Sequence, residues 1–522
     1  MNKINILWAD DEIDMLKPLR IFLEKKGYQL HTVTNGYDAI ECLKENGKID
    51  VVFLDESMPG LSGLETLSEI KKISADVPVV MITKNEAETI MDEAIGSQIA
   101  DYLIKPVNPH QILLSLKKII DNKRLVGEKT SSDYQQEFRQ LLMEINSGPD
   151  LEGWVDIYKK LVDWELKLGG SGSEQMLDIL AMQKKEANSE WSRFVVKNYM
   201  DWVDPQNAEA PIMSHNMMRN FVFREMEDGV PTLFILMDNM RYDQWKVILP
   251  ILKEQFFLEK EDFFLSILPT TTQYSRNAIF AGMMPADIQK RFPDKWLNDH
   301  EEGGKNMYEE DFFKDQLKRL IRREVKSHYV KVTRHHYGKQ LPDQMTNFLT
   351  NDITVIVYNF IDMLSHARTE MEVLKELAAD EAAYRSITRS WFLHSPLWAG
   401  LQKLADKDIR IVFTTDHGTI RVANPSKIVG DRDTTTNLRY KVGKNLRYED
   451  SDVLDIKDPL KAGLPRPNIS STFVFAKEDK FFLYPNNYNY YHNYYQDTFQ
   501  HGGISLEEMI CSVAVLRSKG GR

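Results

Sequence analysis

A short pattern recurs along this chain and constrains its fold more than any other feature: a run of aliphatic and β-branched residues ending directly on a carboxylate, hydroxyl, imidazole or ammonium group. Residues 4–9 end on Asp10 and Asp11, 49–54 on Asp55, 77–82 on Thr83, and 102–104 on Lys105. Further on, 231–237 ends on Asp238, and 264–268 leads through Pro269 to Thr270, Thr271 and Thr272. Residues 353–360 precede Asp362 and His366, and 411–414 precede Asp416, His417 and Gly418. Unbroken apolar runs of this length are what strands buried on both faces look like. Stretches of helical period separate the first set; residues 13–26, stopped by Gly27, are one. Strands alternating with helices predict parallel, doubly wound sheets, whose carboxyl ends gather polar residues into one crevice.

The pattern divides the chain in three. Residues 1–122 carry the first set of strands and 206–522 the second. Residues 123–205 hold no strand-like run and read as a charged helical connector, broken once at Gly169-Gly170-Ser171-Gly172. Trp154, Trp164, Trp191 and Trp202 in or beside that connector read as packing residues. At 522 residues, three domains are expected. The formal charge of −12 disfavours a broad polyanion-binding surface but permits a local basic cleft. Two cysteines, Cys42 and Cys511, exclude a disulfide scaffold and a thiolate zinc motif. No apolar run approaches the ~20 residues of a membrane span, and no signal peptide is read at the start. A soluble cytoplasmic protein is expected, with no membrane partner.

In the first crevice Asp10, Asp11 and Asp55 are costly neighbours unless a cation neutralises them. Mg²⁺ suits such an oxygen-only site. Asp55 can then attack a phosphoryl group as a carboxylate nucleophile, with Lys105 pairing with the new phosphate and Thr83 hydrogen-bonding it. The ordered set, with Lys105-Pro106, resembles the receiver domain of bacterial two-component response regulators over residues 1–122. The resemblance implies Mg²⁺ on Asp10, Asp11 and Asp55 (with the carbonyl of Ser57), phosphorylation of Asp55 by a sensor histidine kinase, and a Thr83/Tyr102 switch. Lys84, where that family has a small residue, is a departure expected to narrow access to the acyl phosphate.

Most receivers carry a DNA-binding helix-turn-helix as output; nothing in 206–522 reads as one. That region instead offers Asp238, Asp362, Asp416, His366, His417, His501 and a threonine. Aspartate and histidine are ordinary zinc ligands, and this set suffices for two ions ~3.5–4 Å apart. One ion would activate the threonine hydroxyl, which has no histidine base beside it in sequence and needs such help at neutral pH. The blocks Leu236-Met237-Asp238-Asn239-Met240-Arg241, Leu268-Pro269-Thr270-Thr271-Thr272-Gln273-Tyr274-Ser275-Arg276, Asp362…His366, Asp416-His417-Gly418 and His501-Gly502-Gly503 resemble the PglZ branch of the alkaline phosphatase superfamily. The resemblance implies one zinc on Asp362, His366 and His501, and a second on Asp238, Asp416, His417 and the nucleophilic threonine, Thr272 in preference to Thr271. Arg276 and Asn277 are expected at the substrate phosphate.

The whole layout resembles PorX-type response regulators. That resemblance implies a zinc-dependent phosphodiesterase acting on linear and cyclic oligonucleotides, homodimerisation on phosphorylation, contacts with a sigma factor and secretion components, and control of type IX secretion. The alternative class is a non-catalytic signalling adaptor that keeps zinc for stability; a DNA-binding transcription factor is the weakest. Between 314 and 339 lie nine Lys/Arg against two acidic residues, read either as a solvated face or as a phosphate-tracking rim. The six tyrosines of 484–500 read either as base-stacking rings or as a packed loop. His335 and His336 read as exposed loop; His31, His110, His215, His300, His328, His394 and His492 receive no role.

Overall fold

The computed structural model describes residues 4–45, 49–74, 77–84, 99–171, 174–227, 229–332, 335–378, 380–432 and 434–520; Gly172 and the side chains of His335 and His336 fall outside that description. The chain forms two compact units, residues 1–133 and 134–522.

The first unit is a five-stranded parallel sheet, β1 (Asn5–Ala9), β2 (Gln29–Val33), β3 (Val51–Asp55), β4 (Val79–Thr83) and β5 (Asp101–Ile104), in the order β2-β1-β3-β4-β5. Side chains alternate cleanly between its faces, as the two-residue strand period requires. Ile6, Trp8, Val51, Phe53, Val80 and Ile82 pack with Leu19 and Leu23 of α1 (Lys17–Lys25) and with Ile112 and Leu116. Leu7, Ala9, Val52, Leu54, Val79 and Met81 pack with Ala39 of α2 (Gly36–Glu45) and with Leu67 and Ile70 of α3 (Gly63–Ile73). Ser62 caps α3 reciprocally with Glu65. A Cβ on Gly63 would lie 2.4 Å from the Asp55 carbonyl, so only glycine lets α3 start this close to the acidic crevice. β2 was not expected: its sequence, Gln-Leu-His-Thr-Val, is that of a half-buried edge strand.

Three long helices follow, α4 (Pro109–Asn146), α5 (Leu151–Ser171) and α6 (Glu174–Trp202). Trp154, Trp164 and Trp191 are buried among them, with Trp154 and Trp191 edge to face at 5.7 Å.

The second unit is built on a six-stranded sheet: β6 (Thr232–Met237), β7 (Phe256–Leu265), β8 (Ser327–Val332), β9 (Ile353–Tyr358), β10 (Arg410–Thr414) and β18 (Ile510–Ser518), in the order β7-β18-β10-β6-β9-β8. β10, β6, β9 and β8 run parallel; β18 is antiparallel to both its neighbours. Of the expected strand 264–268 only 264–265 are strand, and they are the end of β7. The rest of β7 carries Glu259, Lys260, Glu261 and Asp262, because a sheet edge is guarded by charge and does not read as an apolar run.

Between β10 and β18 an inserted region forms β11 (Ile420–Arg421), β12 (Asn424–Lys427), β13 (Tyr440–Gly443), β14 (Val453–Ile456), β15 (Thr472–Ala476), β16 (Lys480–Leu483) and β17 (Phe499–Gln500). They pair as β11-β17, β12-β16 and β13-β15-β14.

Lys441 of β13 is buried, its ammonium donating to the Thr435 carbonyl at 2.9 Å and lying 4.8 Å from the Tyr484 ring centre. Burial pushes its pKa from 10.5 down to about 7. Between those values the folded chain binds fewer protons than the unfolded one, so stability rises with pH by up to ~1.4 kcal/mol per unit. Lys441→Met should flatten the rise of the urea midpoint between pH 7 and 10; an unchanged slope would refute the assignment.

Candidate metal centres and their surroundings

In the first unit, ligand atoms of Asp10, Asp11 and Asp55 lie within 4.8 Å of one another at the carboxyl ends of β1 and β3. Lys105, following β5, places Nζ 3.0 Å from Asp10 Oδ2 and 2.8 Å from Asp55 Oδ2. Burial raises the Asp55 pKa; the Lys105 hydrogen bond opposes this, and the Asp10 charge adds to it. The three carboxylates are an oxygen donor set suited to a hard divalent cation. Thr83 donates its hydroxyl to Glu56, and the Tyr102 ring is exposed. Lys84 reaches toward Glu12, with Nζ 3.7 Å from its carboxylate.

In the second unit, loops from distant parts of the sequence meet at the carboxyl edge of the large sheet. Asp238 follows β6, Asp362 and His366 lie on the helix Phe360–Glu370 after β9, and Asp416 and His417 follow β10. His501 follows β17. Two triads result: Asp238, Asp416 and His417, all buried, and Asp362, His366 and His501, which reach the surface through His366. The His417 and His501 rings stack with centres 4.5 Å apart, so the triads are neighbours. Nδ1 of His417 faces the Gly418 carbonyl at 3.1 Å and Nδ1 of His501 faces the Thr270 carbonyl at 3.2 Å. Both imidazoles thereby turn Nε2 inward, as second partners do for metal-ligating histidines.

The carboxylates show the cost of gathering. Burial pushes Asp416 up to about 7, with the Asp238 charge adding to the effect and His417 opposing it. Burial likewise pushes Asp362 up to about 6, helped by Asp238. Burial works against charge on Asp238 too, but the Arg276 guanidinium outweighs it and holds that carboxyl low. Oδ2 of Asp416 is buried without a hydrogen-bond partner. An orphaned carboxylate oxygen within a set of three carboxylates and three imidazoles fits divalent metal ions.

Thr272 opens a π-helical turn, Thr272–Arg276, that runs into the helix Asn277–Ala281. Its Oγ1 lies 3.2 Å from Asp238 Oδ1 and 3.3 Å from His417 Nε2. The Thr271 hydroxyl is buried and makes no hydrogen bond. Thr270 donates to the Gly503 carbonyl. The structure thus brings Thr272, and not its two neighbours, to the buried triad.

Arg276 and Asn277, expected at the substrate phosphate, are both bonded within the protein. Arg276 is about 1% exposed, and its guanidinium is spent on Asp238 Oδ2 and Glu309 Oε1, each at 2.6 Å. Asn277, equally buried, donates to the carbonyls of Gln273 and Lys305. Both brace the site from behind. In the basic stretch Arg319 is paired with Asp315 at 2.7 Å and Lys331 with Glu309 at 2.6 Å, so part of that charge is internally neutralised. The tyrosine-rich segment forms a helix, Tyr488–Tyr495, with Tyr490 and Tyr491 exposed.

Two residues were not foreseen. Asn239, at φ +63°, spans the triads: its N–H faces Asp416 Oδ1 at 3.2 Å and its amide faces Asp362 Oδ1 at 3.4 Å. Asn following a strand-end Asp was the available signal, because Asn tolerates the left-handed region. Glu309 anchors Arg276 and sits in an acidic run, Glu309-Glu310-Asp311, that gives no sign of which carboxylate turns inward.

A family model of the response regulator receiver domain matches residues 6–117, one of the PorX response regulator linker domain matches 124–203, and one of the BREX system PglZ alkaline phosphatase-like domain matches 217–516. Among curated relatives, the CpxR homolog of Haemophilus influenzae, a transcriptional regulatory protein, is 29% identical over 189 residues, 34% of this chain and 80% of its own. The transcriptional regulatory protein ResD of Bacillus subtilis is 32% identical over 120 residues, 23% of this chain and 49% of its own. The chain thus spans about half of that second relative. A receiver domain protein of Clostridium thermocellum is 32% identical over 23% of this chain and 98% of its own, with a TM-score of 0.23. Among the described residues no helix is long and apolar enough to cross a membrane. Receiver and alkaline phosphatase-like domains generally use divalent metals, and the latter indicates a phosphoesterase-type hydrolase. Receiver, linker and PglZ domains in this order, with the PglZ match spanning more than half of its length, place the chain in the family of PorX-type response regulators.

Proposed function

We propose that this response regulator is a zinc-dependent phosphodiesterase that hydrolyses linear and cyclic oligonucleotides through a phospho-threonine intermediate. In this reading, phosphorylation of Asp55 by a sensor histidine kinase drives homodimer formation, and the output controls type IX secretion, with a sigma factor and secretion components as partners. The supporting observation is the pair of triads meeting beside the Thr272 hydroxyl.

Asp362, His366 and His501 would hold one zinc ion, and Asp238, Asp416, His417 and Thr272 the other. When bound, the ions supply charge that favours the ionised threonine and neutralises the phosphodiester. Thr272 Oγ1 is held by Asp238 and His417 at the mouth of the buried triad, where it forms the bond to phosphorus as the leaving oxygen departs. Arg276 fixes one oxygen of Asp238 and leaves the other facing Thr272. Asn239 sets the spacing between Asp416 and Asp362. In the receiver, Asp10, Asp11 and Asp55 would hold Mg²⁺, and Lys105 would pair with the phosphoryl group on Asp55.

The test joins metal analysis to hydrolysis of bis-p-nitrophenyl phosphate. The purified chain should carry two zinc ions in the second unit, lose turnover on chelation and regain it with zinc. Beryllofluoride with Mg²⁺ should shift the chain toward dimer by light scattering, and Asp55→Asn should abolish that shift. Absence of zinc, or turnover that survives chelation, would sink the enzymatic reading.

A further inference from the structure

We propose that Asp299 is a positioning residue for the nucleophile turn, tying it to the wall of the His501 loop through two tyrosine hydroxyls. Tyr274, in the turn Thr272–Arg276, donates to Asp299 Oδ2, and Tyr440, at the start of β13, donates to Asp299 Oδ1 at 2.5 Å. The catalytic consequence rests on the phosphodiesterase reading; the geometric one does not.

The two tyrosines come from distant parts of the chain, yet their rings meet edge to face at 6.1 Å. Tyr440 lies against the residue after His501. A Cβ on Gly502, which sits at φ +122°, would lie 2.8 Å from the Tyr440 ring and 3.3 Å from Thr271 Cγ2. The carboxylate therefore bridges the turn that carries Thr272 and the residue that packs against His501-Gly502.

Asp299 belongs to a strap, residues 297–309, that holds nearly every member of the turn. Gln273 donates to the Leu297 carbonyl, Asn306 to the Thr272 carbonyl, Asn277 to the Lys305 carbonyl, and Arg276 to Glu309. A π-helical turn is an uncommon conformation that recurs at functional sites and persists only when its surroundings over-determine it. Of the strap side chains bonded to this turn, Asp299 is the one that also reaches the inserted region. It also borders a cavity of about 330 Å³ with His300, Asp431, Thr435, Lys444 and Ser471, so a smaller side chain there can be hydrated without collapse of the core.

A misplacement of about 1 Å at a nucleophile costs on the order of 10²-fold in rate. In the zinc-loaded full chain, Asp299→Ala should lower kcat for bis-p-nitrophenyl phosphate roughly 10- to 100-fold. KM should stay within about twofold and zinc content should be unchanged, because no metal ligand is removed. Asp299→Asn, which keeps one acceptor, should be less impaired, and Tyr440→Phe should shift kcat in the same direction. Combining Asp299→Asn with Tyr440→Phe should cost little more than Asp299→Asn alone. Backbone amide exchange across 270–277 should quicken about tenfold or more in Asp299→Ala and measurably in Tyr440→Phe. The Tyr440→Phe variant carries the test if Asp299→Ala fails to fold. Wild-type exchange across 270–277 in the variants overturns the proposal, as does a loss expressed in KM or zinc content alone. Faster exchange in a chain that hydrolyses no phosphodiester upholds the positioning role and removes the proposed function instead.

Discussion

Thr272→Ala should reduce turnover of bis-p-nitrophenyl phosphate by roughly 10³-fold or more, the scale seen when a nucleophile is deleted, with folding retained. The magnitude follows from place. Its hydroxyl sits 3.2 Å from Asp238 and 3.3 Å from His417, and no other threonine hydroxyl has that contact among the described residues. Thr271→Ala should fall by less than about tenfold, because the Thr271 hydroxyl makes no bond and its contribution is the backbone that opens the turn. Thr272→Ser should keep much of the rate, since the oxygen is preserved. A reversed order, with Thr271→Ala the inactive variant, would transfer the nucleophile to the neighbouring residue.

Arg276→Ala should be the most destabilising single change at the site, costing about 3–5 kcal/mol, as truncating one member of a buried ion pair does. It strips the hydrogen-bonded guanidinium from Asp238 and removes one of three donors from Glu309, both fully buried. The loss should be larger in the chelated protein than in the zinc-loaded one, because a bound cation would still balance Asp238. Lysine should not rescue it: a single ammonium cannot hold Asp238 and Glu309 at once in the fork that the guanidinium provides. Urea melts with and without chelator measure both statements, and a cost under about 1 kcal/mol would show that the pair is not what braces Asp238.

The residues brought together in the three triads were legible in sequence for a physical reason. Strands buried on both faces have no freedom to be polar, so β1, β3, β4, β6, β9 and β10 read as apolar runs, and whatever stops such a run stands at the sheet's carboxyl edge. Where burial is one-sided the signal fades. β2 is half-exposed, β7 carries four charged residues in its middle, and the short strands β11–β17 are too brief for any period to declare itself. The bracing residues were hidden for another reason. Glu309, Asp299 and Asn306 lie on loop or helix-start positions where polar side chains are expected, and only the folded path turns them inward. The start of a helix beside a nucleophile suits a phosphate contact, whereas the near-complete burial of Arg276 is a property of the tertiary fold alone.

The internal position of β18, next to the edge strand β7, has a consequence for biogenesis. This strand separates β7 from β10, yet it is translated ~250 residues after β7. At 5–20 residues per second the ribosome needs roughly 10–50 s to cover that distance. For the whole of that interval β7, and from residue 414 onward β10 as well, lacks the neighbour that will pair with it, a period during which the nascent chain is open to chaperones and to aggregation. An interrupted translation product ending before residue 510 would carry every proposed ligand and the proposed nucleophile, and still lack the strand that closes the platform beneath them.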